Sequence, residues 1–262
     1  MKVTLITGAS GGIGEAFARA LAKKRQNLVL VARSEDKLHE LCDSLMFQYG
    51  ITAHYVAVDL NEFEADQRLY EETQRHGMEV ECLINNAGFG SMGDFSELNL
   101  ERELEMIGLN VMVLVALTHR YLQGMRKRKR GTIINVSSTA GFQPVPYMAT
   151  YAATKAFVTS FTEAIAEENR QFGITATAVC PGPVDTNFFD AANAIPFSAM
   201  QTPDEVVETA LKGVEKGKSH IISGWTNYLK AHAATFAPNS VVTKFISAII
   251  RPKLKAQKRL KG

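Results

Sequence analysis

The stretch Val3-Thr4-Leu5-Ile6-Thr7-Gly8-Ala9-Ser10-Gly11-Gly12-Ile13-Gly14 decides how the rest of the chain is read. A β-branched run of strand character stops at a glycine cluster, and an amphipathic helical pattern, Ile13–Lys24, begins inside it. Glycines at such a junction allow a tight turn and let backbone N–H groups approach an anion. The helix N-terminus adds the positive end of its dipole. In a strand–loop–helix setting the pattern predicts a pyrophosphate cradle built from Gly8, Ser10, Gly12, Ile13 and Gly14.

Downstream, short apolar strand candidates (Asn27–Ala32, Ala53–Val58, Cys82–Asn85, Thr132–Ser137, Thr175–Cys180 and His220–Ser223) alternate with amphipathic segments such as Glu35–Tyr49 and Phe63–His76. Repeated β–α–β alternation implies right-handed crossovers and a parallel sheet covered on both faces by helices. No repeat, low-complexity tract or linker divides the 262 residues. The expectation is an α/β chain forming one doubly wound Rossmann domain with about seven strands.

The glycine spacing, Gly8-x-x-x-Gly12-x-Gly14, departs from the usual G-x-G-x-x-G. Further motifs follow in order: Asn85-Asn86-Ala87-Gly88, Asn110, Ser138, Tyr151-x-x-x-Lys155 and Pro181-Gly182. Over roughly residues 1–190 this succession resembles the classical short-chain dehydrogenase/reductase family, and within it the branch holding 3-oxoacyl and hydroxysteroid reductases. The resemblance implies an oxidoreductase that moves hydride between a nicotinamide and a carbonyl or secondary alcohol. It places Asp59 and Leu60 beside the adenine, Asn86, Ala87 and Gly88 beside the adenosine ribose, and Thr186 near the nicotinamide amide, with Pro181, Gly182 and Val184 in the same cofactor-contacting segment. It also gives Lys155 a contact to the nicotinamide ribose and Asn110 a water that relays protons from Lys155.

The residue types fit that chemistry. A phenol has a pKa near 10, too high for rapid exchange at neutral pH. Lys155 lies four residues after Tyr151, so its ammonium shares a helix face with the phenol and is expected to lower that pKa. Ser138 would donate to the substrate oxygen as charge develops there. A Tyr–Lys pair at this spacing is commonplace by itself; the ordered constellation carries the inference. The second strand ends Val31-Ala32-Arg33-Ser34, with no carboxylate for a ribose 2′-hydroxyl and an arginine suited to a 2′-phosphate. NADP(H) is therefore expected over NAD(H). Glu35 and Asp36 read as first-turn acids of a helix capped by Ser34.

Other features set boundaries. A net charge of +2 gives no reason to invoke nucleic acid, and the basic run Met125–Arg130 reads as a solvated helix end. Cys42, Cys82 and Cys180 form neither a disulfide framework nor a metal-ligand spacing, so no metal is expected. The start on a strand-like run argues against a signal peptide, and a cytoplasmic protein is expected. Residues 183–203, with Phe188, Phe189, Ile195, Phe197 and Met200, sit where the family carries a substrate lid; they suit an apolar ketone or 3-oxoacyl substrate, or simply self-packing. The segment 237–262 joins Val241, Val242, Phe245, Ile246, Ile249 and Ile250 to a basic tail. It reads as a lid helix, a subunit contact or a weak peripheral membrane contact. Family members form homodimers or homotetramers through helices around Leu100–Lys129 and Tyr151–Arg170. Two other functions stay open: an epimerase or dehydratase using the cofactor transiently, and a cofactor-sensing module without turnover.

Overall fold

The structure is a computed structural model and describes residues 1–192, 194 and 200–261. Seven strands, β1 (Lys2–Thr7), β2 (Leu28–Ala32), β3 (Ala53–Ala57), β4 (Glu79–Asn85), β5 (Gly131–Val136), β6 (Ile174–Cys180) and β7 (His220–Ile222), pair in parallel in the order β3-β2-β1-β4-β5-β6-β7. Each expected strand is present within a few residues of its predicted ends. The strands are nearly continuous apolar runs, as a sheet covered on both faces requires; β2 is buried at all five positions.

Helices α1 (Gly12–Lys23), α2 (Glu35–Tyr49) and α8 (Pro203–Glu215) cover one face of the sheet, around Phe17, Leu38, Leu45 and Val206. Helices α3 (Ala65–Arg75), α5 (Leu114–Arg128) and α6 (Ala149–Arg170) cover the other, around Leu69, Leu117, Tyr121 and Ile165. Further elements are α4 (Leu100–Ile107), α7 (Phe188–Ala191), α9 (Trp225–Phe236) and α10 (Asn239–Lys261). A π-helical turn, Gly108–Val113, joins α4 to α5.

Some local expectations change. α3 begins at Ala65 rather than Phe63, because Glu64 adopts a left-handed φ of 56° that stops the helix there. Ser34 occupies the N-cap position of α2, but its side chain makes no capping bond. The basic run does end a helix: Arg128 and Arg130 reach Glu79 and Glu81 of β4 at 3.2 and 3.4 Å. Cys42 and Cys180 are buried, and Cys82 is half-buried.

The topology locates the site. The strand order reverses between β1 and β4, and the crevice outside the carboxyl ends of the strands at such a switch point is where ligands bind in open α/β sheets. Thr7, Asn85 and Val136 end their strands at that edge.

Candidate active site

The glycine loop leaves β1 at Thr7. The Thr7 hydroxyl accepts the Asn86 and Ala87 N–H groups at 3.0 and 2.9 Å and donates to the Ile84 carbonyl. Asn86 returns the link, donating from Nδ2 to the carbonyls of Thr7 (2.9 Å) and Gly8 (3.1 Å). The two loops at the switch point are thus laced into one rigid edge. Gly14 has a steric reason: a Cβ there would lie 2.2 Å from the Gly8 carbonyl oxygen. Gly11 caps α1 without a side-chain bond, so the first-turn N–H groups facing the cleft are left for a ligand. A glycine-packed cradle with free helix-end donors fits a dinucleotide pyrophosphate.

This cradle forms one end of a cleft of about 1480 Å³. Gly8, Ser10, Gly12, Ile13, Arg33, Asn86, Ala87 and Gly88 line it, as do Ser138, Tyr151, Lys155, Pro181, Gly182, Val184 and Thr186. Gly14 lies just behind. Three expected residues stand apart. Leu60 is buried in the core beside α3, and Asp59 is outside the lining, 3.7 Å from Arg33 in a mostly solvated ion pair. Asn110 is buried behind the cleft wall. Its carboxamide accepts the Phe89 N–H (3.2 Å) and donates to the Phe89 carbonyl (3.0 Å) and the Thr154 hydroxyl (3.1 Å). It pins the loop after β4 against α6.

Tyr151, Lys155 and Ser138 converge. Ser138 follows β5 in extended conformation and its Oγ accepts the Ala140 N–H at 3.1 Å. Tyr151 and Lys155 project from the first turns of α6, and Lys155 Nζ donates to the Val136 carbonyl at 2.9 Å. Burial pushes the Tyr151 phenol up to about 12, with the hydrogen-bonding Ser138 hydroxyl pulling it back. Burial pulls the Lys155 ammonium down to about 8, opposed by Cys180. The expectation that Lys155 brings the phenol toward neutrality is not met. Nζ turns to Val136 and sits 5.8 Å from the ring centroid, so desolvation outweighs its charge.

Sequence reasoning missed several lining residues. Arg19 of α1 and Lys37 of α2 line the same cleft as Arg33, and Lys37 lies in the first turn of the helix that Arg33 precedes. Gln143 lines the cleft beyond Ser138 with a buried, unpartnered Oε1, and no sequence pattern marks it. The far end is apolar: Met148, Phe189 and Ile250 cluster with Tyr151, and the Phe188 ring lies 5.3 Å from that of Tyr151. Phe188 and Phe189 therefore pack on the protein and face the cleft together. Ile195 and Phe197 lie outside the described residues, and Met200 is exposed. Where the resemblance expects a lid, the Gln201 N–H donates to the Pro183 carbonyl and the Asp185 N–H donates to that of Gln201, both at 2.9 Å.

Residues 2–195 match the family model described as short chain dehydrogenase. The chain belongs to the short-chain dehydrogenase/reductase family. It is 31% identical over 248 residues to the very-long-chain 3-oxoacyl-CoA reductase of Rattus norvegicus, covering 92% of this chain and 76% of that protein. A short-chain dehydrogenase from Sphingobium yanoikuyae, solved in complex with NADPH, superposes with a TM-score of 0.84 at 28% identity, covering 92% and 95% of the two chains. A 7beta-hydroxysteroid dehydrogenase superposes at 0.85 with 26% identity, covering 94% and 96%. This short-chain dehydrogenase is an oxidoreductase that binds a nicotinamide cofactor, and its matched segment runs from β1 through α7.

Proposed function

We propose that the enzyme transfers hydride between NADP(H) and the carbonyl or secondary alcohol of an apolar substrate of the 3-oxoacyl type. The observation that carries this reading is the convergence of Ser138, Tyr151 and Lys155 on one cleft wall, between the glycine cradle and an apolar end. When bound, the nicotinamide supplies or accepts the hydride. The chain supplies position and the proton.

Tyr151 holds its proton at neutral pH, because burial keeps the phenol well above the usual range. In reduction it donates from its hydroxyl to the substrate oxygen as negative charge grows there. Ser138, whose hydroxyl pulls against the burial of the phenol, provides a second donor to that oxygen. The Lys155 ammonium offsets the charge left on Tyr151 and holds the cofactor ribose. Asn110 acts by position, fixing the Gly88–Phe89 turn against α6.

Arg33, Lys37 and Arg19 at the cradle end, with no carboxylate ending β2, support a 2′-phosphate and hence NADP(H). Aromatic side chains of the lid, the apolar cluster beyond Tyr151 and the printed activity of the rat relative support a 3-oxoacyl or hydrophobic ketone substrate. Exposed Leu104 and Met112, near the α4–α5 junction, and Phe157 on α6 support a homo-oligomer formed through those helices.

Spectrophotometric NADPH oxidation against aldehydes, ketones and 3-oxoacyl thioesters, with NADH in parallel, tests the reading. Turnover of apolar substrates with NADPH preferred is expected. A clear NADH preference overturns the role of Arg33. Stoichiometric NADPH binding without turnover, unchanged by Tyr151→Phe, overturns the enzymatic reading in favour of a sensor.

A further inference from the structure

The charge of the chain is segregated. Residues 216–262 hold ten Lys and Arg and no Asp or Glu, whereas the remainder holds 19 cations against 27 acids, a net −8. The basic part comprises β7, α9 and α10. These same two helices display large apolar side chains outward. On α9, Trp225, Leu229 and Phe236 fall on one helical stripe and are 71, 50 and 87% exposed. On α10, Val241, Phe245 and Ile249 recur every four residues, also exposed. Exposed Lys244 and Lys255 lie to one side of the α10 stripe.

Both helices border the cleft. Asn227 and Lys230 of α9, and Val242 and Ile246 of α10, line it, Ile246 within the apolar cluster, and exposed Val241, Phe245 and Ile249 belong to the same lining. The exposed apolar stripe on α10 is therefore the lip of the cleft mouth. The Arg251 Nε–H donates to the Tyr147 hydroxyl at 2.8 Å, which fixes α10 to the loop preceding α6.

We propose that α9 and α10 seat the enzyme on an anionic lipid bilayer, with the cleft mouth facing the lipid so that the apolar substrate enters from the membrane. The seating rests on charge and exposure alone; the route for the substrate rests also on the function proposed above. Amphipathic helices with cations beside an apolar face lie in the bilayer interface, and aromatic side chains favour that depth. No helix among the described residues is long and apolar enough to cross a membrane, so contact is lateral. The opposite charge of the remainder repels the same surface and fixes the orientation. Pairing these two helices with those of a second copy would bring eight cations against eight, which disfavours self-association as the occupant.

Trp225 is the only tryptophan, so its emission reports on the surface directly. The intact enzyme, titrated with vesicles of phosphatidylcholine containing phosphatidylglycerol, is expected to float with them and shift its emission to the blue. Phosphatidylcholine vesicles alone, or high salt, are expected to give neither effect. Lys244→Glu with Lys255→Glu should weaken binding about five-fold for each cation removed, hence at least about 25-fold. Leu229→Ser with Phe236→Ser should abolish the blue shift, and neither residue lines the cleft; unchanged NADPH binding by both variants certifies the fold. Absence of flotation with anionic vesicles overturns the proposal. So does a blue shift that grows with protein concentration in the absence of lipid, which would mark a self-association face. Reduction of a water-soluble ketone, measured on the same preparation, reports on the proposed function independently of vesicle binding.

Discussion

The two ends of the cleft are built on different principles. At the cofactor end, backbone meets backbone: Gly14 lies against the Gly8 carbonyl with no room for a methyl group, and Thr7 and Asn86 exchange hydrogen bonds between β1 and β4. At the apolar end, side chains that include those of α6, α7 and α10 cluster around Tyr151, Met148, Phe189 and Ile250. A backbone cradle tolerates almost no change, because nothing in it can move aside. An apolar wall can be repacked at modest cost. One architecture can therefore keep its cofactor cradle constant while the apolar end varies, and Tyr151 sits at the junction.

The contrast can be broken most severely at that junction. Tyr151→Phe should lower kcat by about 100- to 10,000-fold, the range for loss of a positioned general acid, while NADPH binding measured by fluorescence stays near wild type. Gly14→Ala attacks the rigid end. Its methyl would meet backbone at 2.2 Å, so a loss of up to about 100-fold in NADPH affinity is expected, matching an overpacking cost of about 1–3 kcal/mol.

Lys155 separates stability from activity. Its ammonium is held down from 10.5 to about 8 by burial, so the unfolded chain binds this proton more tightly. Lys155→Met should then remove a cost of about 3 kcal/mol at neutral pH, partly offset by about 1 kcal/mol for the lost bond to Val136. The expected rise of a few degrees in Tm is full below pH about 8 and gone above about 10.5, while turnover collapses. In the wild type, reduction should decline as pH rises through about 8 and Lys155 loses its charge; Tyr151 stays protonated well beyond that point.

Smaller effects sharpen the difference between the ends. Arg33→Ala should raise the KM for NADPH about ten-fold, in line with loss of one charge-assisted contact, and leave that for NADH unchanged. An unaltered NADPH-to-NADH ratio would shift the selectivity to Lys37 and Arg19. Ile246→Val, at the apolar wall, trims one methylene and should change the KM for a long-chain substrate only a few-fold.

Legibility in the sequence followed the same divide. Strand runs and the glycine loop depend on local pattern, so β1–β7 and the order of Gly8, Ser138, Tyr151 and Lys155 were readable from residue types and spacing. Arg33 was readable too, but its pairing with Asp59 at 3.7 Å joins residues 26 apart in sequence and was not. The carboxamide bonds of Asn110 to Phe89 and Thr154 span 21 and 44 residues of sequence, and no local pattern marks them. Gln143, which lines the cleft with a buried unpartnered oxygen, has no local signature at all.

By itself, then, the sequence determined the parallel doubly wound sheet and the glycine loop that opens it, and the ordered motifs around Ser138, Tyr151 and Lys155 carried the resemblance to the family. The first two follow from hydrophobic periodicity and glycine sterics, which act over a few residues. Tertiary structure decided the rest. Burial in α6 set Tyr151 and Lys155 to about 12 and 8, a desolvation that spacing along the helix does not reveal. The folding of α9 and α10 against the cleft placed residues of the basic, apolar C-terminal stretch in its lining. Desolvation and long-range contact depend on what surrounds a group in space, and no linear pattern carries that information.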